Sequence, residues 1–385
     1  MKMTQYLKWK ADPSKGEVFT PTSLVSEMLD KIPDKVWKNP NSKFLDPCMG
    51  KGTFLIEIVR RLTYIYGYTE TDAKSRVYGY DIRVKYINHL QRRGFTNVRH
   101  KDFLNENILM KFDAIVGNPP FQKALKSGKK SVDTLWAKFI QKSFDITKDG
   151  GIVSLISPDG WCSPTFDIPS GEVSIFRDYF KNNNLTYVAT NNKVKPFFKN
   201  IGTSFTYFVC DKNHYKNKTT FDDGSEIVEF DISSLNFIPK KIDRISLAIH
   251  EKIFNGGDKF IFERYRKKDG GMIDERHPYF FTPKLKFSRG LAVFNVSADN
   301  GSSGYDVFTY AYHLQDEETV ESGLSVLNSK VYKFVLNQKW NQYFTKYIPN
   351  MVKKPVLNKV YSDAELYQFL DLNEEEINYI ESNVN

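Results

Sequence analysis

Asn118-Pro119-Pro120-Phe121 is the stretch of this 385-residue chain whose residue types point most directly to chemistry. An apolar run, Phe112-Asp113-Ala114-Ile115-Val116-Gly117, leads into it and is stopped by the two prolines. Proline fixes φ and supplies no N–H donor, so the carbonyls around it stay open to an incoming donor. The result is a rigid acceptor site. If the donor is an exocyclic amine, the Asn118 side-chain oxygen and the Pro119 carbonyl take its two hydrogens and turn the nitrogen lone pair out of the ring plane. Phe121 then offers a face for the ring. A surface Asn-Pro turn is the plain structural alternative.

Upstream, Phe44-Leu45-Asp46-Pro47-Cys48-Met49-Gly50-Lys51-Gly52-Thr53-Phe54 reads as a strand running through a glycine turn into a helix. A doubly wound sheet binds nucleotide-like ligands at such a turn. Gly50 and Gly52 let the backbone approach the ligand, and Asp46 suits a cationic amine, such as the α-amino group of methionine, better than a pyrophosphate. The dinucleotide fingerprint is absent, since Leu55 stands where its third glycine belongs, and so is the Gly-Lys-Ser/Thr ending of a P-loop. Asp81, followed by Ile82 at the end of the next apolar run, is placed to accept from ribose hydroxyls, although farther beyond Gly52 than the ~20 residues of compact dinucleotide folds. Asp102, in Lys101-Asp102-Phe103, is a candidate acceptor for an adenine amino group, with Phe103 packing on its ring. Asp also occurs at strand ends and helix caps for structural reasons alone.

These residues need a scaffold. Short apolar runs at Phe44-Leu45, Val77–Tyr80, Phe112–Val116, Ile152–Ile156, Leu185–Ala189 and Ser204–Val209 alternate with helical periodicity at Thr53–Tyr66 and Trp136–Ile146. The pattern predicts a doubly wound α/β sheet. Beyond Asp211 the sequence turns polar and turn-rich, with no strand–helix repeat, which places a boundary near 215: a catalytic domain over 1–215 and a second domain over 216–385. A basic stretch, Leu324–Val360, carries seven lysines and no acid and is interleaved with Tyr332, Trp340, Tyr343 and Tyr347. It reads as a track for a phosphate backbone or as a solvated helix face over core aromatics. An acid-rich, base-free segment, Tyr361–Asn385, follows it.

Formal charge is +9 and aromatic residues make up 15%, which suits a polyanionic partner with flat rings to stack on. Three dispersed cysteines, Cys48, Cys162 and Cys210, without Cys-x-x-Cys or His-Glu-x-x-His, speak against zinc and for a reducing compartment. No apolar run reaches the ~18 residues of a membrane span. The expectation is a cytoplasmic protein without metal.

Taken in order, these segments resemble the gamma class of adenine-N6 DNA methyltransferases, in which a cofactor motif precedes Asn-Pro-Pro-Phe/Tyr and target recognition is C-terminal. The resemblance covers the predicted catalytic half. It implies a Rossmann-like S-adenosylmethionine-dependent methyltransferase sheet followed by a C-terminal α+β target-recognition domain. Phe19-Thr20-Pro21 resembles the element that folds over the methionine end of S-adenosyl-L-methionine. Asp46, Pro47, Gly50 and Gly52 resemble its glycine motif, Asp81 its ribose acid, Asp102-Phe103 its adenine pocket and Asn118–Phe121 its catalytic loop. Pro196–Thr203 resembles the element whose aromatic ring stacks on the flipped base, here Phe198 in preference to Phe197. Met49 and Lys51 depart from the family's small residues and leave the shape of the methionine pocket open.

The implied reaction is direct methyl transfer to the N6 amine of an adenine flipped from duplex DNA, without a covalent enzyme intermediate. Lys123, Lys126, Lys129 and Lys130, just after Phe121, are candidate phosphate contacts or simply a solvated loop. The expected partner is double-stranded DNA, with a separate cognate restriction endonuclease as a further candidate. Three rival readings stand beside this one: a protein glutamine-N5 methyltransferase, whose loop usually has Tyr in place of Phe121, an RNA methyltransferase, and a non-catalytic DNA-binding protein with a vestigial cofactor fold. The recognised DNA site is not legible, because base readout depends on which side chains reach the groove.

Overall fold

The computed structural model describes residues 18–121, 135–162, 174–198, 204–213, 218–235, 237–239, 241–260, 263–264, 280–288, 291–299, 310–313, 317–337 and 352–384. The chain divides into two compact units, one of residues 1–161 and 166–231, the other of 162–165 and 232–385. No helix among the described residues is long and apolar enough to cross a membrane.

The first unit is built on strands β1 (Phe44–Asp46), β2 (Val77–Asp81), β3 (Val98–His100), β4 (Phe112–Gly117), β5 (Thr147–Pro158), β6 (Asn184–Ala189), β7 (Phe205–Asp211), β8 (Thr219–Asp222) and β9 (Ile227–Phe230). Among the described residues they form one sheet in the order β3-β2-β1-β4-β5-β7-β6-β8-β9. The sheet is mixed: β3, β2, β1, β4 and β5 are parallel, whereas β7 is antiparallel to β5 and β6. Chain order reverses about β1, which has β2 on one side and β4 on the other, and such a switch opens a crevice beyond the strands' C-terminal ends.

Its helices are α1 (Thr22–Asp30), α2 (Asp34–Lys38), α3 (Thr53–Tyr64), α4 (Glu70–Ser75), α5 (Val84–Gln91), α6 (Leu135–Ile146) and α7 (Asn191–Val194). Successive strand residues point to opposite faces, and the core divides accordingly. Phe44, Ala114 and Val116 pack with Leu24, Leu55, Ile58 and Leu90 of α1, α3 and α5, while Leu45 and Ile115 pack with Phe139 and Ile146 of α6. Both faces are covered, so the central strands are apolar throughout rather than alternating. The buried Arg61 of α3 bonds Glu57 at 3.0 Å, Asp30 at 2.7 Å and the Ser26 carbonyl at 2.8 Å, which fixes α1 against α3.

The division after Asp231 lies beyond the boundary expected near 215, because β8 and β9 extend the sheet: β8 runs parallel to β6, and β9 pairs antiparallel to β8. Only short runs in polar surroundings, Thr219–Asp222 and Ile227–Phe230, announce these strands. β3 is equally inconspicuous, three residues of which only Val98 is buried.

The second unit contains helices α8 (Arg244–Phe254), α9 (Val320–Leu327), α10 (Lys330–Asn337), α11 (Asp363–Phe369) and α12 (Glu374–Asn383). Its strands are β10 (Glu263–Arg264), β11 (Phe280–Ser288), β12 (Leu291–Asp299) and β13 (Tyr310–His313), paired antiparallel in the order β10-β13-β11-β12 among the described residues. Ile249, Ile253, Val331, Phe334, Leu366 and Ile380 form a helical core. α11 and α12 each begin with a full capping box, Ser362 with Glu365 and Asn373 with Glu376.

Candidate active site

The C-terminal ends of β1, β2 and β4 bring Asp46, Asp81 and Asn118 to one rim of the first unit's sheet. The loop after β1 is held across that rim: Met49 N–H donates to the Tyr80 carbonyl at 2.9 Å and Gly50 N–H to Asp81 Oδ2 at 3.0 Å. Gly50 and Gly52 take left-handed φ of +50° and +82°, which only glycine adopts without strain. A Cβ on Gly52 would meet Leu90 Cδ1 at 2.6 Å, whereas one on Gly50 would meet nothing within 4 Å. The first glycine faces open space and the second is wedged against α5.

Asp46 is 2% exposed, and its Oδ1 accepts from Cys48 N–H at 3.0 Å. No cationic side chain pairs with it among the described residues. Burial pushes its carboxyl up to about 8, and the neighbouring Asp81 charge adds to the rise. The Cys48 thiol is pushed up by burial and by the same two acids, so it is not a thiolate nucleophile. Asp81 accepts from Arg83 N–H at 2.9 Å and Arg83 Nε at 3.1 Å. Ile82 beside it is 65% exposed, an apolar side chain standing open at the rim.

Asn118 follows β4, whose Gly117 lies so near β1 that a Cβ there would sit 2.8 Å from Asp46 Oδ1. The Asn118 side chain donates from Nδ2 to Thr20 Oγ1 at 3.2 Å, which orients the amide. Its Oδ1 and the Pro119 carbonyl accept no hydrogen bond among the described residues. Phe19 packs edge-on against Tyr86 at 6.3 Å, and Lys51 Nζ lies over the Phe19 ring at 4.9 Å. Thus Phe19 and Thr20 reach the glycine loop and the Asn118 loop, and Pro21 is the N-cap of α1.

Phe121 lies 6.2 Å from Phe205 at the start of β7, and Phe198 lies edge-on to the same ring at 5.1 Å. Phe198 is 8% exposed and Phe197 is half-buried. Phe205 is the ring that the sequence reading passed over, and its place at the head of a strand just after the predicted stacking element was the available signal. The segment bearing Phe198 follows α7, where Lys193 Nζ stands 3.4 Å from Asp222 and 3.8 Å from Glu27 of α1. Tyr187 donates to Asp222 at 2.6 Å and Tyr207 to Glu27 at 2.9 Å, and burial pushes both phenols up. This polar network links α1 to α7.

Two predicted ligand residues are placed differently from the rest. Phe103 is 2% exposed in the core, stacked on Phe139 at 5.2 Å, because its ring fills the space between α6 and the sheet. Asp102 is exposed and spends its oxygens on Leu104 N–H at 3.1 Å and Asn105 Nδ2 at 2.8 Å, a local turn. Lys123, Lys126, Lys129 and Lys130 lie outside the described residues. A separate cavity of about 490 Å³ sits at the opposite end of the strands, near Lys43 and Arg76, away from this cluster.

In the second unit the basic stretch is partly neutralised. Lys330 pairs with Glu381, Lys354 with Glu318 and Lys359 with Glu365, and Tyr332 is buried against Phe260. Lys330 and Lys359 lie on a solvated face and Tyr332 is a core aromatic, whereas the Lys354–Glu318 pair is largely shielded from water. Lys339, Trp340, Tyr343, Lys346 and Tyr347 lie outside the described residues.

The family described as Eco57I restriction-modification methylase matches residues 51–198. The type II methyltransferase M.VspI of Vibrio sp. (strain 343) is 32% identical over 129 residues, covering 31% of this chain and 28% of that protein. The type II methyltransferase M.HincII of Haemophilus influenzae is 27% identical over 162 residues, covering 38% and 28%. An uncharacterized adenine-specific methylase of Mycoplasma pneumoniae (strain ATCC 29342 / M129 / Subtype 1) is 20% identical over 357 residues, covering 65% and 83%. The chain therefore spans less than a third of the length of the first two relatives. Among solved structures, the type I restriction enzyme EcoKI M protein is similar at a TM-score of 0.41 and 17% identity, over 54% of this chain and 48% of that one. The chain is thus similar to restriction-modification methyltransferases.

Proposed function

We propose that this chain transfers a methyl group from S-adenosyl-L-methionine to the N6 amino group of an adenine in duplex DNA. The observation that carries the proposal is the Asn118 loop: a fixed amide with its oxygen unspent, next to a buried acid pair and followed by an aromatic ring. The matches to restriction-modification methyltransferases support the same reading.

The residues present fit the cofactor. Asp46 is a buried carboxylate without a cationic partner among the described residues, and Gly50 opens onto free space beside it. When bound, S-adenosyl-L-methionine supplies an electrophilic sulfonium methyl group. Asp46 accepts from its ammonium, the Gly50–Gly52 backbone lets it approach, and Asp81 accepts from the ribose hydroxyls with the lone pairs left by Gly50 and Arg83. Ile82 covers the adenine ring, and Phe19-Thr20-Pro21 closes over the amino-acid end.

Asn118 Oδ1 and the Pro119 carbonyl accept the two hydrogens of the target amine. Pro120 keeps that backbone rigid, so little is spent on reorganisation as the amine becomes a nucleophile. Phe121 and Phe198, both resting on Phe205, form the apolar walls that receive the base. A stacked base cannot reach such walls, so it is extruded from the duplex, and stacking offsets a cost of a few kcal/mol. Lys123, Lys126, Lys129 and Lys130 contact backbone phosphates, and the second unit supplies target recognition.

Incubation with methyl-labelled cofactor and equal amounts of duplex DNA, RNA and bulk protein tests the acceptor class. The expected result is label in DNA; label confined to RNA or protein would replace this acceptor with one of its rivals.

A further inference from the structure

Lys51 stands inside the glycine loop, between the two left-handed glycines Gly50 and Gly52, and it is half-buried. Its stem and ammonium are folded toward Phe19, with Nζ 4.9 Å from the ring centroid. No hydrogen bond or ion pair involving Lys51 is present among the described residues. Burial alone pulls its ammonium below the usual lysine range. An exposed lysine would extend into water; this one folds back onto the Phe19 ring without an acidic partner among the described residues. Asp46, four residues before Gly50, has the opposite lack: a buried carboxyl with no cationic side chain paired to it among the described residues. The loop thus presents an unpaired ammonium and a buried carboxyl ready to ionise beside a cationic ligand, with the open side of Gly50 between them in sequence.

We infer that Lys51 binds the carboxylate of the cofactor's amino-acid group while Asp46 binds its ammonium, so that the loop takes a zwitterion by both charges. The inference rests on the proposed methyltransferase reading and deepens it by assigning a recognition role to Lys51. Phe19 then has two tasks: its ring face steadies the Lys51 ammonium by cation–π attraction, and the strap closes over the pair. Charge-assisted hydrogen bonds of this kind discriminate strongly against a ligand lacking the anion, because the cation is left half-buried and unpaired.

The test compares two ligands on the full chain by titration calorimetry: S-adenosylmethionine and its decarboxylated form, which keeps sulfonium and amine but lacks the carboxylate. Wild type is expected to prefer the carboxylate-bearing ligand by about tenfold or more. In Lys51→Met and Lys51→Gln that preference shrinks to within about twofold, while Lys51→Arg retains most of it. Variants that bind both ligands with the wild-type preference would overturn the assignment and leave the methyltransferase reading standing, with Lys51 merely covering Phe19. Failure of wild type to bind either ligand would overturn both.

Discussion

Asn118 and Asp46 carry the account at the scale of single residues. Asn118→Ala removes one of two acceptors aimed at the amine, so turnover is expected to fall about 10²–10³-fold while cofactor affinity changes by less than about threefold. Steady-state kinetics with a parallel binding titration checks both numbers; unimpaired turnover would remove Asn118 from the mechanism. Asp46 gives a pH signature. Its carboxyl, pushed up to about 8 by burial, carries a proton in the ligand-free protein at neutral pH, and an ammonium ligand binds the ionised form. Affinity for S-adenosylmethionine should therefore rise with pH by up to about tenfold per unit below the range near 8 and fall again above it as the ligand's own ammonium is lost. Asp46→Asn should give weak binding without that rise, and a rise that survives in this variant would refute the assignment. Both residues stand out in the sequence because of their types and order, and the structure brings both to the C-terminal ends of neighbouring strands. The place of Phe103 was not legible, because a Phe beside an acid looks the same whether it faces a ligand or, as here, α6.

Among the elements, the glycine loop and its neighbours decide the geometry. Gly52 combines a left-handed φ of +82° with Leu90 at 2.6 Å from any added Cβ, so Gly52→Ala should cost about 1–3 kcal/mol of stability, read as a lower denaturation midpoint. Gly50→Ala meets only the backbone penalty, since nothing lies within 4 Å of its Cβ, and should cost less. Equal losses for the two would contradict the packing described. The strands that carry the site, β1, β2 and β4, were readable because burial on both faces makes them continuous apolar runs between turn signals. β3, β8 and β9 escaped for other reasons: all three are short, β3 and β9 are largely exposed, and β8 is two threonines, Phe221 and Asp222, with too few apolar residues to read as a buried strand. The network joining Glu27, Lys193, Asp222, Tyr187 and Tyr207 was invisible because residues of α1, α7, β6, β7 and β8 meet only after the sheet has formed.

For the molecule as a whole, the division into two units falls after Asp231, a strand pair beyond the boundary expected near 215. The basic and acidic blocks of the C-terminal region looked separate in sequence, yet Lys330–Glu381 and Lys359–Glu365 join them within the second unit. That unit also contains a titration probe. His250 is fully buried among Phe237, Phe254 and Phe334, its Nδ1 bonded to the Ser246 carbonyl at 2.6 Å and its Nε2 without a partner among the described residues. Burial pulls it down from 6.5 to about 4. The unfolded chain therefore binds the proton first as pH falls. The stability that neutral His250 supports is full above 6.5 and is lost progressively toward 4, amounting to about 3 kcal/mol. Urea unfolding at pH 7.5 and 4.5 should show this loss, and His250→Leu should reduce it; an unchanged pH dependence in the variant would contradict the burial.

Nucleoside mass spectrometry of duplex DNA methylated by the full chain decides whether Asn118 and Pro119 hold an adenine amine. N6-methyladenine is expected as the modified nucleoside with wild type, at a level reduced about 10²–10³-fold with Asn118→Ala at equal enzyme and time. N4-methylcytosine in its place, or N6-methyladenine undiminished by the substitution, would contradict that role.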